Sequence, residues 1–379
     1  MKIAFLTPEF PHPKTGSSGG IGTSILNLSK GLVGQRHEVS ILVYGQSEDE
    51  VFVENEVFFY RIKNLKLKGF SRFLTQLKIQ NLINKLVKED KVDIIEASDW
   101  TGITSNIKPN CPVVIRLNGS DTYFCHLDNR PVKFLNKFYE KRALQNADAL
   151  LSVSKYTANL TNELFSLQRD FTIIPNSIDI DKFIFESKSE VQENTILYFG
   201  TMIRKKGLLE LPLIFNEVYK KNNKAKLILI GRDSSDIISG NTSTWSMMQP
   251  LFDNDALPNV EYIGSIPYDN IMEHISLASV CIFPTFAEAL PVSWIEAMAM
   301  QKAIVSSNIG WATEVIDDGI NGFLVHPKEH VKFAENINKL LENAALRSKF
   351  GIEARKKVEQ VFSIQVVAMQ SANFYQKLI

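Results

Sequence analysis

The sequence predicts an α/β protein with two doubly wound parallel sheets, and three observations lead to this class. Short apolar runs alternate with segments of helical spacing, the alternation stops near residues 177–193, and it then begins again. Strands that are apolar throughout and alternate with helices form buried parallel sheets joined by right-handed crossovers. The length of 379 residues also exceeds what one ordinary core holds.

The first series of apolar runs predicts an N-terminal domain over residues 1–180. Its predicted strands are 2–7, 38–44, 92–98, 112–118, 149–154 and 171–176. Segments with the apolar spacing of helices lie between them, at 23–34, 70–88, 131–147 and 155–167. Strand and helix therefore alternate along the whole domain, as a Rossmann-like sheet requires.

The second series predicts a C-terminal Rossmann-like domain over residues 190–360. Its strands are predicted at 194–200, 226–231, 259–264, 279–285, 303–307 and 322–325, with helical patterns between them. The polar segment 177–193 becomes the linker, and a central cleft faced by both domains is the expected ligand site. The final segment, 361–379, is amphipathic and could lie on either domain; we expect a helix that packs back on the N-terminal one.

Composition excludes several classes of protein and site. Forty-two basic residues balance 42 acidic ones, so no overall positive field draws the chain onto nucleic acid. The three cysteines have no CxxC spacing, which argues against a zinc site or a disulfide framework. No run approaches the ~18 apolar residues of a transmembrane helix, and the N-terminus has the pattern of a strand rather than of a signal peptide. We therefore expect a cytoplasmic protein.

The segment GSSGGIGTS, residues 16–24, places glycines between the first strand and the first helix. Backbone amides at Gly20 and Gly22 could approach an anion closely. The dinucleotide-binding fingerprint does not fit, because its glycines directly follow the strand and Ile25 stands where its third glycine belongs. A plain flexible loop is one interpretation; we favour a glycine loop that faces the interdomain cleft.

The segment GTMIRKKG, residues 200–207, follows the first strand of the second domain and carries adjacent cations that include Arg204 and Lys206. Such a run is often a solvated turn. Ligands of these sheets bind at the carboxyl ends of the strands, however, and a diphosphate needs fixed cations. The position therefore favours an anion site.

The segment FAEALPVSWIEAMAM, residues 286–300, predicts a strand end, a loop and a helix whose first residue is Pro291. Amides at the start of that helix would lie at its positive end and could bind an anion. Glu288 precedes the helix and Glu296 lies on its second turn. Both acids could be ordinary helix-end residues, but carboxylates also accept hydrogen bonds from sugar hydroxyls. An anion site with an acid on either side matches a sugar–diphosphate–ribose ligand.

In these segments the chain resembles glycosyltransferase family 4, a family of retaining enzymes with the GT-B fold. The family signature is Glu-x7-Glu within a strand–loop–helix, and Glu288 and Glu296 have that spacing. The resemblance covers nearly the whole chain and includes GGIG, IPNSIDIDKF, GTMIRKKG, KLILIGRD and EAMAMQKAIVSSNIGWATEVIDDGINGFLVHP, at 19–22, 174–183, 200–207, 226–233 and 296–327. These motifs occur in the order that the family has.

The resemblance implies that the N-terminal domain binds the acceptor and that the C-terminal domain binds the nucleotide-sugar donor. It also implies a role for each matching residue. Lys206 and Arg204 would hold the donor diphosphate. Glu288 would bind hydroxyls of the transferred sugar, and Glu296 would bind the nucleotide ribose. The remaining implied contacts are to the backbone: Gly200, Ala289, Leu290 and Val292 near the phosphates, Ile266 near the base, and Gly20 with Gly22 near the donor or the acceptor.

One position departs from the family pattern. The family often has HG-x-D after a strand of its N-terminal domain, and this chain has Asn118-Gly119-Ser120-Asp121. Asparagine donates a hydrogen bond but takes no proton at neutral pH, so Asn118 is not a base. The resemblance implies that the leaving phosphate deprotonates the acceptor, a mechanism that needs no base from the protein.

The predicted activity is transfer of a hexosyl or N-acetylhexosaminyl group, with retention, from a nucleotide-diphosphate sugar to a glycan. Similar enzymes build lipopolysaccharide, capsule or exopolysaccharide, so a lipid-linked glycan is the expected acceptor. No cofactor or metal is expected, because the two DxD matches at 179–181 and 253–255 fall in the linker and in a polar insertion. A sugar-nucleotide epimerase of the same fold and a non-catalytic sugar-nucleotide binder are the alternatives.

Residues 61–91 carry nine basic and two acidic side chains. A surface helix with a solvated basic face is one interpretation. The other is a patch in peripheral contact with an anionic membrane, at the inner face where a lipid-linked acceptor would lie.

Overall fold

The computed structural model describes residues 1–16, 18–183 and 191–379. The chain divides into two compact units. Unit 1 contains Met1–Ile178 and Val361–Ile379, and unit 2 contains Asp179–Gln360. Of the predicted linker, residues 184–190 lie outside the described residues.

Unit 1 is built on one sheet of eight strands. The strands are β1 Lys2–Thr7, β2 Glu38–Gln46, β3 Glu50–Glu54, β4 Val57–Lys63, β5 Ile94–Ser98, β6 Val113–Leu117, β7 Ala149–Ser152 and β8 Thr172–Ile173. Their order across the sheet is β3-β4-β2-β1-β5-β6-β7-β8, and all neighbours are parallel except β3 and β4. The chain starts in the middle of the sheet and extends to both sides, so its topological switch point lies between β1 and β5.

The sequence prediction missed the hairpin β3–β4 at the edge of this sheet. Asn55 and Glu56 form its turn with φ angles of 49° and 64°, the left-handed pair that a two-residue hairpin turn requires. Glu50 and Glu54 end the outer strand. These acids leave β3 only three consecutive apolar residues. The apolar run of β4 at 57–60 follows another strand instead of a helix, so a search for strands that alternate with helices overlooks both strands.

Five helices accompany these strands: α1 Gly20–Gly34, α2 Ser71–Lys88, α3 Asp121–Leu127, α4 Phe134–Asn146 and α5 Lys155–Phe165. The four predicted helices are confirmed, with α1 starting earlier than predicted. The short α3 was not predicted, although the hydroxyl of Ser120 accepts a hydrogen bond from the amide of Tyr123 and caps it.

Unit 2 contains a second, fully parallel sheet. Its strands are β9 Thr195–Phe199, β10 Lys226–Ile230, β11 Val260–Gly264, β12 Val280–Phe283, β13 Ala303–Ser307 and β14 Phe323–Val325, in the order β11-β10-β9-β12-β13-β14. The helices are α6 Leu211–Lys221, α7 Thr244–Met248, α8 Ile271–Leu277, α9 Val292–Ala299, α10 Ala312–Val315, α11 His330–Glu342 and α12 Ala344–Lys357. All six predicted strands are confirmed, and the switch point lies between β9 and β12.

The last helix, α13 Ile364–Tyr375, belongs to unit 1. Its Tyr375 hydroxyl donates to the carboxylate of Glu96 on β5 at 2.6 Å, and Ser371 accepts from Arg116 on β6 at 3.2 Å. Arg116 and Glu96 form a buried ion pair with Nε–Oε1 at 2.8 Å. Gly31 of α1 allows close packing here, since a Cβ at that position would lie 2.7 Å from a carbonyl oxygen of α13.

Among the described residues, no helix combines the length and the apolar character that crossing a bilayer requires.

Candidate active site

The candidate site of unit 2 lies at its switch point, where β9 and β12 end side by side. Gly207 makes their close approach possible. Its φ is +76°, and a Cβ there would overlap the carbonyl oxygen of Pro284 after β12. The carbonyl of Lys205 accepts hydrogen bonds from the amides of Phe286 at 2.8 Å and Ala287 at 3.2 Å. The basic turn is thus tied directly to the loop that carries Glu288.

Lys206 and Glu288 form an ion pair within this arrangement. Both side chains are largely buried, with 19% and 17% of their surface exposed. Burial acts to raise the pKa of Glu288, but the charges of Lys206 and Lys205 and the hydrogen bond from Lys206 outweigh it and lower the pKa. Glu288 is therefore a carboxylate at neutral pH, able to accept hydrogen bonds.

Glu296, on the second turn of α9, is close enough to Lys206 for the charge of that lysine to act on its carboxylate. Its carboxylate accepts a hydrogen bond from the hydroxyl of Tyr268 at 2.5 Å. Burial raises the pKa of Glu296, while the bond from Tyr268 and the charge of Lys206 act against that rise. Ile266, the predicted base contact, is half-buried in the segment between β11 and Tyr268. The cation and the two acids predicted from sequence thus come together with a tyrosine that the sequence did not single out.

Arg204 is held by a partner that the sequence prediction missed. Its Nε and Nη2 atoms donate to the two carboxylate oxygens of Asp236 at 2.8 and 2.7 Å. The hydrogen bond from Arg204 is the main reason that the pKa of Asp236 is lowered, and the amide and hydroxyl of Ser239 add two more donors. The bidentate pair fixes the plane of the guanidinium. The sequence did contain a signal for this partner, because an acidic residue lies in the segment after β10.

The backbone of the loop before α9 corrects one detail of the prediction. Pro291 is the N-cap, with φ −75° and ψ 116°, and the helix begins at Val292. The extended ψ of Pro291 keeps it outside the first turn, so its ring precedes the helix instead of opening it. Ala289 and Leu290 are buried in the loop, and Gly200 stands at the end of β9 with φ +140°.

The glycine segment of unit 1 also differs from the prediction. Gly20 and Gly22 do not lie in a loop, because they form the first turn of α1. A Cβ on Gly22 would lie 3.1 Å from the carbonyl oxygen of Glu9, and its amide donates to the Glu9 carboxylate at 3.0 Å. An acid of the protein itself therefore occupies this helix end. At Gly20 the space around a Cβ is open.

Asn118 follows β6 in unit 1 and is positioned by Asp99, which follows β5. The amide of Asn118 donates to Oδ1 of Asp99 at 3.0 Å. Asp99 is buried, and burial raises its pKa to about 7. Its Oδ2 atom has no hydrogen-bond partner among the described residues. The sequence prediction missed Asp99, although an acid directly after an apolar strand was visible.

Both units resemble known proteins. The family model Glycosyltransferase Family 4 matches residues 18–182, and the model Glycosyl transferases group 1 matches residues 179–357. The uncharacterized glycosyltransferase MJ1607 of Methanocaldococcus jannaschii is 25% identical, with 99% of this chain and 98% of that protein covered. The capsular polysaccharide biosynthesis glycosyltransferase CapM of Staphylococcus aureus is 27% identical over 64% of this chain and 65% of its own. The structure of Anabaena HepE in complex with UDP and glucose has a TM-score of 0.74 and 18% identity, with 100% of both chains covered.

Proposed function

Because the chain belongs to the group 1 glycosyl transferases of glycosyltransferase family 4, we propose that it moves a sugar from a nucleotide-diphosphate sugar to a glycan acceptor with retention of configuration. It is a glycosyltransferase of the GT-B fold. The observation that carries the proposal is the ion pair of Lys206 with Glu288, next to Glu296, at the switch point of unit 2.

The donor is proposed to bind along these side chains. Lys206 has three N–H donors, so it can contact a phosphate oxygen while it keeps Glu288 ionised. Arg204 supplies a second cation for the diphosphate. Glu288 accepts bonds from sugar hydroxyls, and Glu296 accepts from the ribose hydroxyls. The complex of HepE with UDP and glucose supports a donor of this chemical class.

The remaining backbone contacts follow the same direction along the donor. Val292, Leu290 and Ala289, at and just before the start of α9, are proposed to face the phosphates, with Gly200 on the opposite strand end. The segment at Ile266 is proposed to meet the base. In unit 1, Gly20 and Gly22 are proposed to lie near the donor or the acceptor.

We propose that the transfer proceeds on one face of the sugar. The bond between the anomeric carbon and the phosphate oxygen breaks, and the acceptor oxygen bonds to the same face of that carbon. The acceptor proton passes to the leaving phosphate. Asn118 contributes a hydrogen-bond donor and no base. The charge that develops on the leaving diphosphate is met by Lys206 and Arg204, with no requirement for a metal ion.

The acceptor is proposed to be a lipid-linked glycan that is built into lipopolysaccharide, capsule or exopolysaccharide. The printed role of CapM in capsular polysaccharide biosynthesis supports this class. Such an acceptor would place the protein in the cytoplasm, in peripheral contact with the inner face of the membrane.

One experiment distinguishes the candidate functions. The protein is incubated with UDP-, GDP- and dTDP-sugars, with and without a lipid-linked acceptor extract, and the released nucleotide and the identity of the sugar are followed. Acceptor-dependent nucleotide release that survives EDTA supports the proposal. A changed sugar that remains on its nucleotide would indicate an epimerase, and binding without turnover would indicate a non-catalytic binder.

A further inference from the structure

Helix α2 is apolar on two opposite sides. It buries Ile79, Ile83 and Leu86 against unit 1. With 3.6 residues per turn, Phe73 and Leu77 point away from that buried side, and both are exposed. Phe70, at the N-cap, is 62% exposed, and the preceding loop adds exposed Leu65 and Leu67. Burial within unit 1 therefore explains only one of the two apolar stripes.

Helix α4 has a similar apolar stripe in its first two turns. Phe134 is 80% exposed, and Leu135 and Phe138 are exposed as well. The spacing of these residues, i, i+1 and i+4, places them on one side of the helix. Glu140, Ala143 and Leu144 are the buried residues of α4.

The helices that carry the two stripes lie close together, because α2 and α4 both bond to the segment 102–105. Arg72 of α2 donates to the carbonyl of Gly102 at 2.8 Å, and its guanidinium lies 4.2 Å from the centre of the Tyr139 ring of α4. Gln76 of α2 and Arg142 of α4 both bond to Ser105, at 2.9 and 3.0 Å. We call the eight exposed side chains together the apolar–basic face: Leu65, Leu67, Phe70, Phe73, Leu77, Phe134, Leu135 and Phe138.

The two segments that carry this face are basic, although two of their cations pair with acids from neighbouring segments: Lys78 with Asp49 at 2.6 Å and Arg130 with Asp128 at 3.2 Å. Residues 63–88 contain seven basic side chains and no acidic one. Residues 129–146 contain five basic side chains and one acid, Glu140, which is buried and bonded to Thr122. Lys66, Lys68 and Lys137 are exposed beside the apolar side chains. A partner that covers the face must therefore be both apolar and anionic.

We propose that the apolar–basic face docks unit 1 on the surface of an anionic phospholipid bilayer. The aromatic and leucine side chains enter the boundary between headgroups and acyl chains, and the lysines contact lipid phosphates. The docking rests on the proposed function for its purpose, since it would bring the proposed acceptor domain to a lipid-linked glycan. Membrane binding by the face is a separate property, and it can be measured without enzymatic turnover.

The test uses the full chain and sedimentation with vesicles of phosphatidylcholine, with and without phosphatidylglycerol. The wild type is expected to bind the anionic vesicles and to lose binding as salt is added. The triple change Phe134→Ser, Leu135→Ser and Phe138→Ser is expected to weaken partitioning by roughly tenfold or more. The matched control changes three other exposed apolar helix residues, Val331→Ser, Ile352→Ser and Met369→Ser, and is expected to bind as the wild type does.

Two results would overturn the proposal. One is binding that is absent or indifferent to lipid charge. The other is a triple variant that binds vesicles normally but turns a dimer into a monomer by light scattering, which would assign the face to a second copy of the chain. Thermal unfolding is the control that checks whether each variant is folded. Nucleotide release with acceptor dispersed in detergent reports on the transferase separately, so either proposal can fail alone.

Discussion

At the scale of single residues, the structure joins side chains whose proximity the sequence only partly reveals. Glu288 and Lys206 are separated by strands and helices, yet their positions after β12 and β9 made both of them candidates. Asp99, Asp236 and Tyr268 were not recognised, because each acts through a partner that is distant in sequence. Spacing identifies residues near strand ends, and it does not identify which side chains meet there.

Glu288→Gln tests the role of the carboxylate. We expect kcat/KM to fall roughly hundredfold or more, because the amide is a weaker acceptor for sugar hydroxyls and leaves Lys206 without its ionic partner. Steady-state kinetics with the active donor measures this. The matched control is Glu335→Gln, since Glu335 pairs with Lys221 on the surface of the same unit. Activity close to that of the control would refute the assignment of Glu288.

Asp99 predicts a specific dependence of stability on pH. Its pKa is about 7 in the folded protein and about 4 in an unfolded chain. Since the folded pKa is raised, the contribution of Asp99 to stability is complete below about pH 4 and is lost as the pH rises through about 7. The substitution Asp99→Asn removes this loss. The free energy of unfolding of the variant, relative to that of the wild type, should therefore rise between about pH 4 and pH 7, by up to roughly 4 kcal/mol.

Urea unfolding of the two proteins at several pH values measures this difference. Asp90→Asn, at an exposed carboxylate of unit 1, is the control and should follow the wild type. Curves for Asp99→Asn and the wild type that stay parallel from pH 4 to pH 7 would show that Asp99 ionises normally in the folded protein.

At the scale of elements, the prediction succeeds where strands alternate with helices and fails at a hairpin and at a close contact. The six strands of unit 2 alternate with helices and were all predicted, including β11, which contains Glu261. The hairpin β3–β4 was missed because it breaks the alternation of strand and helix. The start of α1 was placed after the glycines, whereas Gly22 fits inside the first turn by its close approach to Glu9. Close packing of a glycine against a neighbouring segment produces no periodic pattern in the sequence.

Gly207→Ala tests the contact that joins the basic turn to the loop after β12. Both a left-handed φ and overlap with Pro284 oppose the new Cβ. Gly240 is the matched control, with φ +75° and open space around its Cβ position. We expect Gly240→Ala to cost about 1 kcal/mol and Gly207→Ala at least twice that, with a loss of activity only for Gly207→Ala. Equal unfolding free energies and unchanged activity would contradict the role of this contact.

At the scale of the whole molecule, the two units do not simply follow one another along the chain. Its last helix belongs to unit 1, where Tyr375 bonds to Glu96, 279 residues away in sequence. The amphipathic pattern of α13 is compatible with either sheet, so the sequence alone left its position open. Buried polar groups of Glu96 on β5 and Arg116 on β6 bond to α13, and these bonds identify the sheet against which the helix packs.

The function proposed for the whole molecule is transfer of a sugar with retention. The most direct measurement is the anomeric configuration of the new linkage, read by proton NMR on the product formed from a donor of known configuration. We expect the product to keep the configuration of the donor, because the acceptor attacks the face that the phosphate leaves. A product of opposite configuration would contradict the proposed mechanism, and a sugar that is never transferred would contradict the proposed function.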